Sequence, residues 1–187
     1  MVDEDVRLML AFRAGDVRAF DALFERWAGR VLRFLERMVG EASVAEELVQ
    51  ETFVRVWRAR ERYEPEARFS TWLFTIAGNA ARNELRRPFR RAPHDSMDEE
   101  REGASLELAA EDPPADALVD AHRTGRGLDA ALAGLPERQR EALWLRAVEG
   151  LSYAEVAAAL ATSEKSVKAL IHRARVALAR ETKREAR

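Results

Sequence analysis

The chain has 187 residues, enough for one compact domain or two small ones and too few for a large multidomain enzyme. Apolar residues make up 47% and charged residues 34%, and 31 Lys+Arg against 33 Asp+Glu leave a net charge of −2, which excludes a uniformly basic coat for nucleic acid but not local segregation of charge. There is no cysteine, which excludes disulfide scaffolds, Cys-ligated zinc and thiol chemistry. No apolar run approaches the roughly 18 residues of a membrane span. The acidic start Met1–Asp5 lacks the apolar core of a signal peptide. A cytoplasmic protein without membrane insertion is expected.

In chain order, a short helix is expected around Glu4–Ala14. Asp16 can cap the next helix, in which Phe20, Leu23, Phe24, Trp27, Val31, Leu35 and Met38 recur at i, i+3, i+4 spacing, and Gly40 stops it. A second long helix opens on Ser43-Val44-Ala45-Glu46, a capping-box pattern. Its buried stripe is Ala45, Leu48, Val49, Thr52, Phe53 and Val56, and its opposite face carries Glu47, Gln50, Glu51, Val54, Arg55 and Arg58. Tyr63-Glu64-Pro65 breaks it. A third long helix starts near Ser70 or Thr71 and ends by Arg87, because Pro88 cannot continue it. On that helix Leu73, Ile76 and Ala77 can face the core. Trp72, Thr75, Asn79, Arg82, Asn83 and Arg86 share another stripe: an aromatic, two amides and two guanidiniums. The loop before it, Tyr63 to Phe69, adds two aromatics and Arg68. Aromatics stack on unpaired bases at roughly 1–3 kcal/mol per base, and arginines hold phosphates. The spacing fits Trp72 and Phe69 equally well as ordinary core residues.

Charge then changes sign along the chain. Arg82 to Arg91 holds five arginines and one acid, Asp95 to Asp120 ten acids and one base, and Ser163 to the end eight Lys+Arg against three Glu. Two basic blocks at the ends of helical patterns point toward nucleic acid. The middle stretch, 92–127, is acidic, contains Pro93, Pro113, Pro114, Gly103, Gly125 and Gly127, and shows little apolar periodicity. It cannot bury enough to offset chain entropy and reads as a flexible acidic linker between a domain at 1–91 and one at 128–187. A free linker of this length spans roughly 30–35 Å on average, so the domains can occupy separate sites on one partner.

In the second domain Leu135-Pro136 opens a helix with Pro in its first turn, and Gly150 ends it. Ser152-Tyr153-Ala154-Glu155 is a capping box for a short helix with Val156, Ala157 and Leu160 apolar. Ala161-Thr162-Ser163 is a tight turn, and Ser163 caps a last helix to about Glu181. Two turns of helix, a three-residue turn and a longer basic helix make a helix-turn-helix layout. Val167, Leu170, Ile171, Ala174 and Leu178 form the buried stripe of the last helix. Lys165, Ala169 and His172 point the other way, with Lys168 and Arg173 on the shoulders. Such a helix can enter a major groove, where Lys and Arg bond guanine edges or phosphates. Catalysis has no support: His94, His122 and His172 are scattered, and HExxH, GxSxG and GxxxxGK are absent. A stand-alone helix-turn-helix regulator, a helical metal-dependent hydrolase and a purely protein-binding adaptor are the rival readings.

The order of these pieces resembles the extracytoplasmic-function (ECF) branch of bacterial RNA polymerase sigma factors. Ala45 to Trp57 (AEELVQETFVRVW) is similar to that family's region 2.2, and Phe69 to Asn79 (FSTWLFTIAGN) to the start of its promoter-melting helix. Leu135–Arg140, Glu149–Ala157 and His172–Arg175 resemble its region 4. The resemblance implies an all-α fold, with region 2 as the N-terminal bundle and region 4 as the helix-turn-helix. It implies a non-enzymatic factor without cofactor or metal that binds core RNA polymerase and promoter DNA, both duplex and single-stranded. By it, Glu47, Gln50, Glu51 and Arg55 would dock on the clamp helices of the polymerase's largest subunit, with the flap as a second polymerase contact. The −10 element would meet Tyr63, Arg68, Phe69, Trp72, Thr75, Asn79, Arg82, Asn83 and Arg86, which would capture a flipped non-template base. The −35 element would meet Lys165, Ser166, Lys168, Ala169, His172 and Arg173. An anti-sigma factor is a further implied partner. Where the family commonly has Ser-Arg after the Lys of the recognition helix, this chain has Ala169-Leu170. The resemblance therefore carries the fold but not a −35 sequence.

Overall fold

The computed structural model describes residues 3–87 and 132–185, with side chains to residue 180, and the stretch 92–127 read as a linker lies outside the described residues. Among the described residues the regular structure is helical. Helix α1 runs over Glu4–Arg13, and the Asp3 side chain accepts from the Asp5 amide. Helix α2, Val17–Val39, is capped by Asp16, whose Oδ1 accepts from Arg18 N at 3.0 Å. It stops at Gly40, whose φ of 76° is a left-handed conformation that a side chain disfavours.

Helix α3 spans Ala42–Ala59 and buries Ala45, Leu48, Val49, Thr52, Phe53 and Val56, the six residues that the apolar spacing selects. Its start differs from the sequence reading. Glu41, not Ser43, holds the N-cap position, and Ser43 Oγ turns back to Glu41 Oε1 at 2.9 Å. The helix begins two residues further upstream: Glu41 is extended, at φ −129° and ψ 119°, and leads directly into helical Ala42. After a 3-10 turn at Arg60–Arg62 and the loop containing Pro65, helix α4 occupies Phe69–Leu85.

These helices close around an aromatic core. Trp27 of α2 lies edge-on to Phe69 and Phe74 of α4, with centroids 5.8 and 6.1 Å apart, and Phe34 meets Phe74 at 5.3 Å. Fully burying each such ring stabilises the bundle by roughly 1.5–3 kcal/mol. Phe24 departs from the expected stripe: it is 41% exposed, resting on Phe53 at the rim.

Helix α5, Glu137–Ala147, begins after Pro136, which occupies the N-cap and not the first helical turn. Helix α6, Tyr153–Ala159, carries the expected capping box: the Ser152 side chain accepts from Glu155 N, and Glu155 reaches back to Ser152 N. Ala161 takes a φ of 50° in the turn. Ser163 Oγ then accepts from Ser166 N at 3.2 Å, at the start of α7, Glu164–Glu185. Val167, Leu170, Ile171 and Ala174 pack inward with Leu143 and Leu145 of α5, and Leu178 is partly buried at the edge of this core. The C-terminal unit does not stand apart. It seats against α2 and α4, where Arg140 Nη1 donates to the Arg37 carbonyl at 3.0 Å.

Candidate nucleic-acid interfaces

The first candidate face lies on α4. One side of this helix must bury Phe69, Leu73, Phe74, Ala77 and Ala81, and that fixes the direction of the rest. Asn79, Asn83 and Arg86 are exposed, and Trp72, Thr75 and Arg82 are half-buried. Two expected members are not on the surface. Tyr63 and Phe69 are 1% and 0% exposed, with Phe69 packed between Trp27 and Trp72. The bundle needs apolar bulk where the loop enters α4, and these rings supply it. Burial first, then Asp3 and Asp5, raise the Tyr63 phenol above its ordinary pKa. Trp72 stands over Tyr63 at 4.9 Å, so it is an accessible ring on a rigid aromatic base. Arg68 is exposed at the helix start.

A second set of groups on this face was not found by sequence reasoning. Three glutamates of the C-terminal unit, two in helices and Glu149 in the turn after α5, meet arginines of the N-terminal bundle. Arg82 donates to Glu141 at 2.5 Å, with side chains 16% and 2% exposed. Arg30 donates to Glu149 at 2.6 Å, and Trp144 Nε1 donates to the same carboxylate at 3.2 Å. Thr71 donates to Glu155 Oε1 at 3.3 Å, with Arg68 at 3.9 Å. Burial raises the Glu141 carboxyl above the ordinary range, and Arg82 offsets this only in part. For Glu155 burial also works against the charge, but the Ser152 hydrogen bonds, Arg68 and Thr71 together outweigh it and lower its pKa. One signal was available: Glu141 precedes buried Leu145 by four residues, so a carboxylate sits on an apolar stripe. Gly78, inside a helix, was another.

The second face is the outer side of α7. Lys165, Lys168, His172 and Arg173 are exposed, and Ser166 and Ala169 are half-buried between them. Lys168 Nζ lies 5.4 Å from the Tyr153 ring, which steadies the cation without removing it from solvent. The third face is on α3, where Glu47, Gln50 and Glu51 are exposed and Arg55, half-buried, pairs with Glu51 at 2.5 Å. Beside them Phe24, Val54 and Trp57 are 41%, 45% and 38% exposed, an apolar strip among charges. Among the described residues no acidic or histidine group is arranged to hold a metal ion, and no helix is long and apolar enough to cross a membrane.

Family models match both parts of the chain. Residues 23–91 match Sigma-70 region 2, and residues 126–178 match Sigma-70, region 4. The RNA polymerase sigma factor CarQ of Myxococcus xanthus is 41% identical over 165 residues, covering 88% of this chain and 90% of that one. The chain belongs to the extracytoplasmic-function sigma factors. It is a factor that directs RNA polymerase to promoters. The sigma-H factor of Pseudomonas aeruginosa is 33% identical, with 94% of this chain and 92% of that one covered. Among solved structures, CnrH in complex with the cytosolic domain of CnrY is 29% identical with a TM-score of 0.65, covering 95% of this chain and 96% of that one. The sigma factor RpoE in complex with the anti-sigma factor NepR from Bartonella quintana is 25% identical with a TM-score of 0.66, at 88% and 96% coverage.

Proposed function

We propose a division of labour within this sigma factor. The observation that carries it is the presence, on one chain, of an open basic helix-turn-helix face and an aromatic–amide–arginine face on a separate helix. Residues 1–91 act as region 2, 128–187 as region 4, and 92–127 as the connection between them. The α7 residues Lys165, Ser166, Lys168, Ala169, His172 and Arg173 read the −35 element as duplex. Arg68, Trp72, Thr75, Asn79, Arg82, Asn83 and Arg86 serve the −10 element, where Trp72 stacks on an extruded base while amides bond its edge. Stacking and hydrogen bonding recover the few kcal/mol that extrusion costs. Tyr63 and Phe69 support Trp72 from beneath and do not touch DNA.

On α3, Glu47, Gln50, Glu51 and Arg55 dock on the clamp helices of the polymerase, and Phe24, Val54 and Trp57 give that contact its apolar part. Region 4 meets the flap. The factor works in the cytoplasm and carries no catalytic site of its own; the polymerase does the chemistry. An anti-sigma factor holds it in reserve, a reading supported by the complex of the similar sigma factor RpoE with the anti-sigma factor NepR. The test is run-off transcription with purified core polymerase over a genomic library. Defined start sites that depend on this chain are expected, and transcripts indistinguishable from those of core alone would refute the reading.

A further inference from the structure

The ring proposed to stack on an extruded base has a support that begins outside its own helix. Trp72 stands on Tyr63, with centroids 4.9 Å apart, and Tyr63 is 1% exposed, so the ring beneath Trp72 shifts only if its main chain shifts. That main chain is held at two points. Tyr63 N donates to Arg60 O at 3.3 Å as the 3-10 turn ends, and Tyr63 O accepts from Arg13 Nη1 of α1 at 2.8 Å. Glu64–Arg68 beyond it are exposed. Among the described residues, Arg13 supplies the only hydrogen bond from another α-helix to the main chain of 63–67.

Arg13 closes α1, which lies ahead of residues 23–91. Buried Met9 and Phe12 anchor this helix on the bundle, and Arg60, which opens the 3-10 turn, lies 5.9 Å from the Phe12 ring. The last turn of α1 therefore grips the segment 60–63 at both ends. A bond from a guanidinium is stronger than a neutral one, and from a packed helix it fixes the carbonyl in direction as well as in place. Among the described residues Arg13 forms no ion pair, whereas Arg7 of the same helix pairs with Glu4. Its one polar partner is the loop. A binding group works only as well as the shell that holds it, since a platform that rocks must be ordered again each time it meets a base.

We propose that Arg13 is a positioning residue for the −10 face: by bonding the Tyr63 carbonyl it fixes the loop 63–68 and the ring beneath Trp72, so that Trp72 meets the extruded base already in place. Arg13 does not itself touch DNA. The proposal rests on the sigma-factor reading above and gives α1 a part in it.

The chain has no cysteine, so Glu66→Cys carries a single nitroxide in the exposed loop of the full chain. Arg13→Met keeps the length of the side chain and removes its donors, and it should make the nitroxide more mobile. Arg13→Lys, which keeps a cationic donor, should restore most of the order, and Arg7→Met on the same helix should not disturb it. In holoenzyme with core polymerase, on a promoter recovered by run-off transcription, Arg13→Met should weaken opening by about 3–10-fold, with affinity for core and for −35 duplex unchanged. In a Trp72→Ala background it should cost nothing further, because the ring it positions is gone. The salt dependence of opening should stay that of the unchanged protein, because no phosphate contact is lost. An unmoved nitroxide, unimpaired opening, or a loss that adds in full to that of Trp72→Ala would overturn the proposal. So would a salt slope lower by one contact, which would make Arg13 a direct DNA ligand. A nitroxide that responds as described in a holoenzyme that opens no promoter would instead overturn the sigma-factor reading.

Discussion

Helices α4 and α7 present similar chemistry to different degrees. On α7 the charged groups Lys165, Lys168, His172 and Arg173 all stand in solvent. On α4 only Asn79, Asn83 and Arg86 do, while Trp72 and Thr75 are half-buried and Arg82 is committed to Glu141. A helix that reads intact duplex needs only to be reached, and nothing has to move for α7 to lie in a groove. A face that holds separated strands does harm if it is always available, because single strands are bound with little regard to sequence. Keeping Arg82 on an internal carboxylate leaves the first encounter with DNA to the duplex reader.

The largest separation of the two faces is expected from Trp72→Ala. It should weaken promoter opening by about 1–3 kcal/mol, a five- to 150-fold loss, with duplex −35 affinity unchanged. Permanganate footprinting of the −10 region beside a binding assay on −35 duplex measures both. An equal loss in the two assays would mean that Trp72, packed on Tyr63 and Phe69, only supports the bundle.

The same ring shows where sequence was sufficient and where it was not. Apolar periodicity selected the buried stripe of α3 residue for residue and that of α7 with only Leu178 at its edge, because each of these helices has one wet and one dry side. The Ser152 capping box and the Ala161–Ser163 turn were legible because local hydrogen bonds decide them. Tyr63 and Phe69 were not, since an aromatic beside an arginine reads alike whether it stacks on a base or on Trp27. Glu141 and Arg82 lie 59 positions apart, and no periodicity within one helix joins them. Their meeting depends on how two helical units are placed, which spacing does not encode.

A smaller effect concerns pH and acts on α4 alone. Glu141 is buried against Arg82 of α4, with Glu137 and Arg138 of its own helix nearby, and burial raises its pKa in this closed form, with the two regions in contact. A carboxyl whose pKa is higher when closed than when open binds its proton preferentially in the closed form. Closure therefore strengthens as pH falls from neutral through the raised pKa, and weakens as pH rises through it. Glu155 has the opposite sign: its pKa is lowered, first by Ser152 of its own capping box, so only the part owed to Arg68 and Thr71 belongs to the contact between the regions, and that part is lost as pH falls below the ordinary carboxylate range. Between neutrality and the ordinary carboxylate range the closed fraction, read from the distance between spin labels on Asp21→Cys of α2 and Ala179→Cys of α7, both exposed positions, should rise on acidification. A fall would mean that the ion pair with Arg82 outweighs burial. Binding to −35 duplex should lack this Glu141-dependent response, because Glu141 is not on α7.

The smallest effect belongs to α7. Lys168 is exposed, and its ammonium rests near the Tyr153 ring instead of on a carboxylate. No ion pair inside the protein has to be broken for it to meet a phosphate. Lys168→Ala should therefore weaken −35 binding by a similar factor on every sequence, and reduce the slope of log affinity against log salt by about 0.9, the release of one phosphate's counterions. Arg82→Ala should not behave in this way. Its guanidinium must leave Glu141 before it reaches DNA, so the counterions that DNA releases are offset by a carboxylate newly exposed to salt, and the slope should change by less than one full contact. If Lys168 and Arg82 gave equal slopes, Arg82 would be as free as Lys168, and the difference between the covered face and the open one would have no functional consequence.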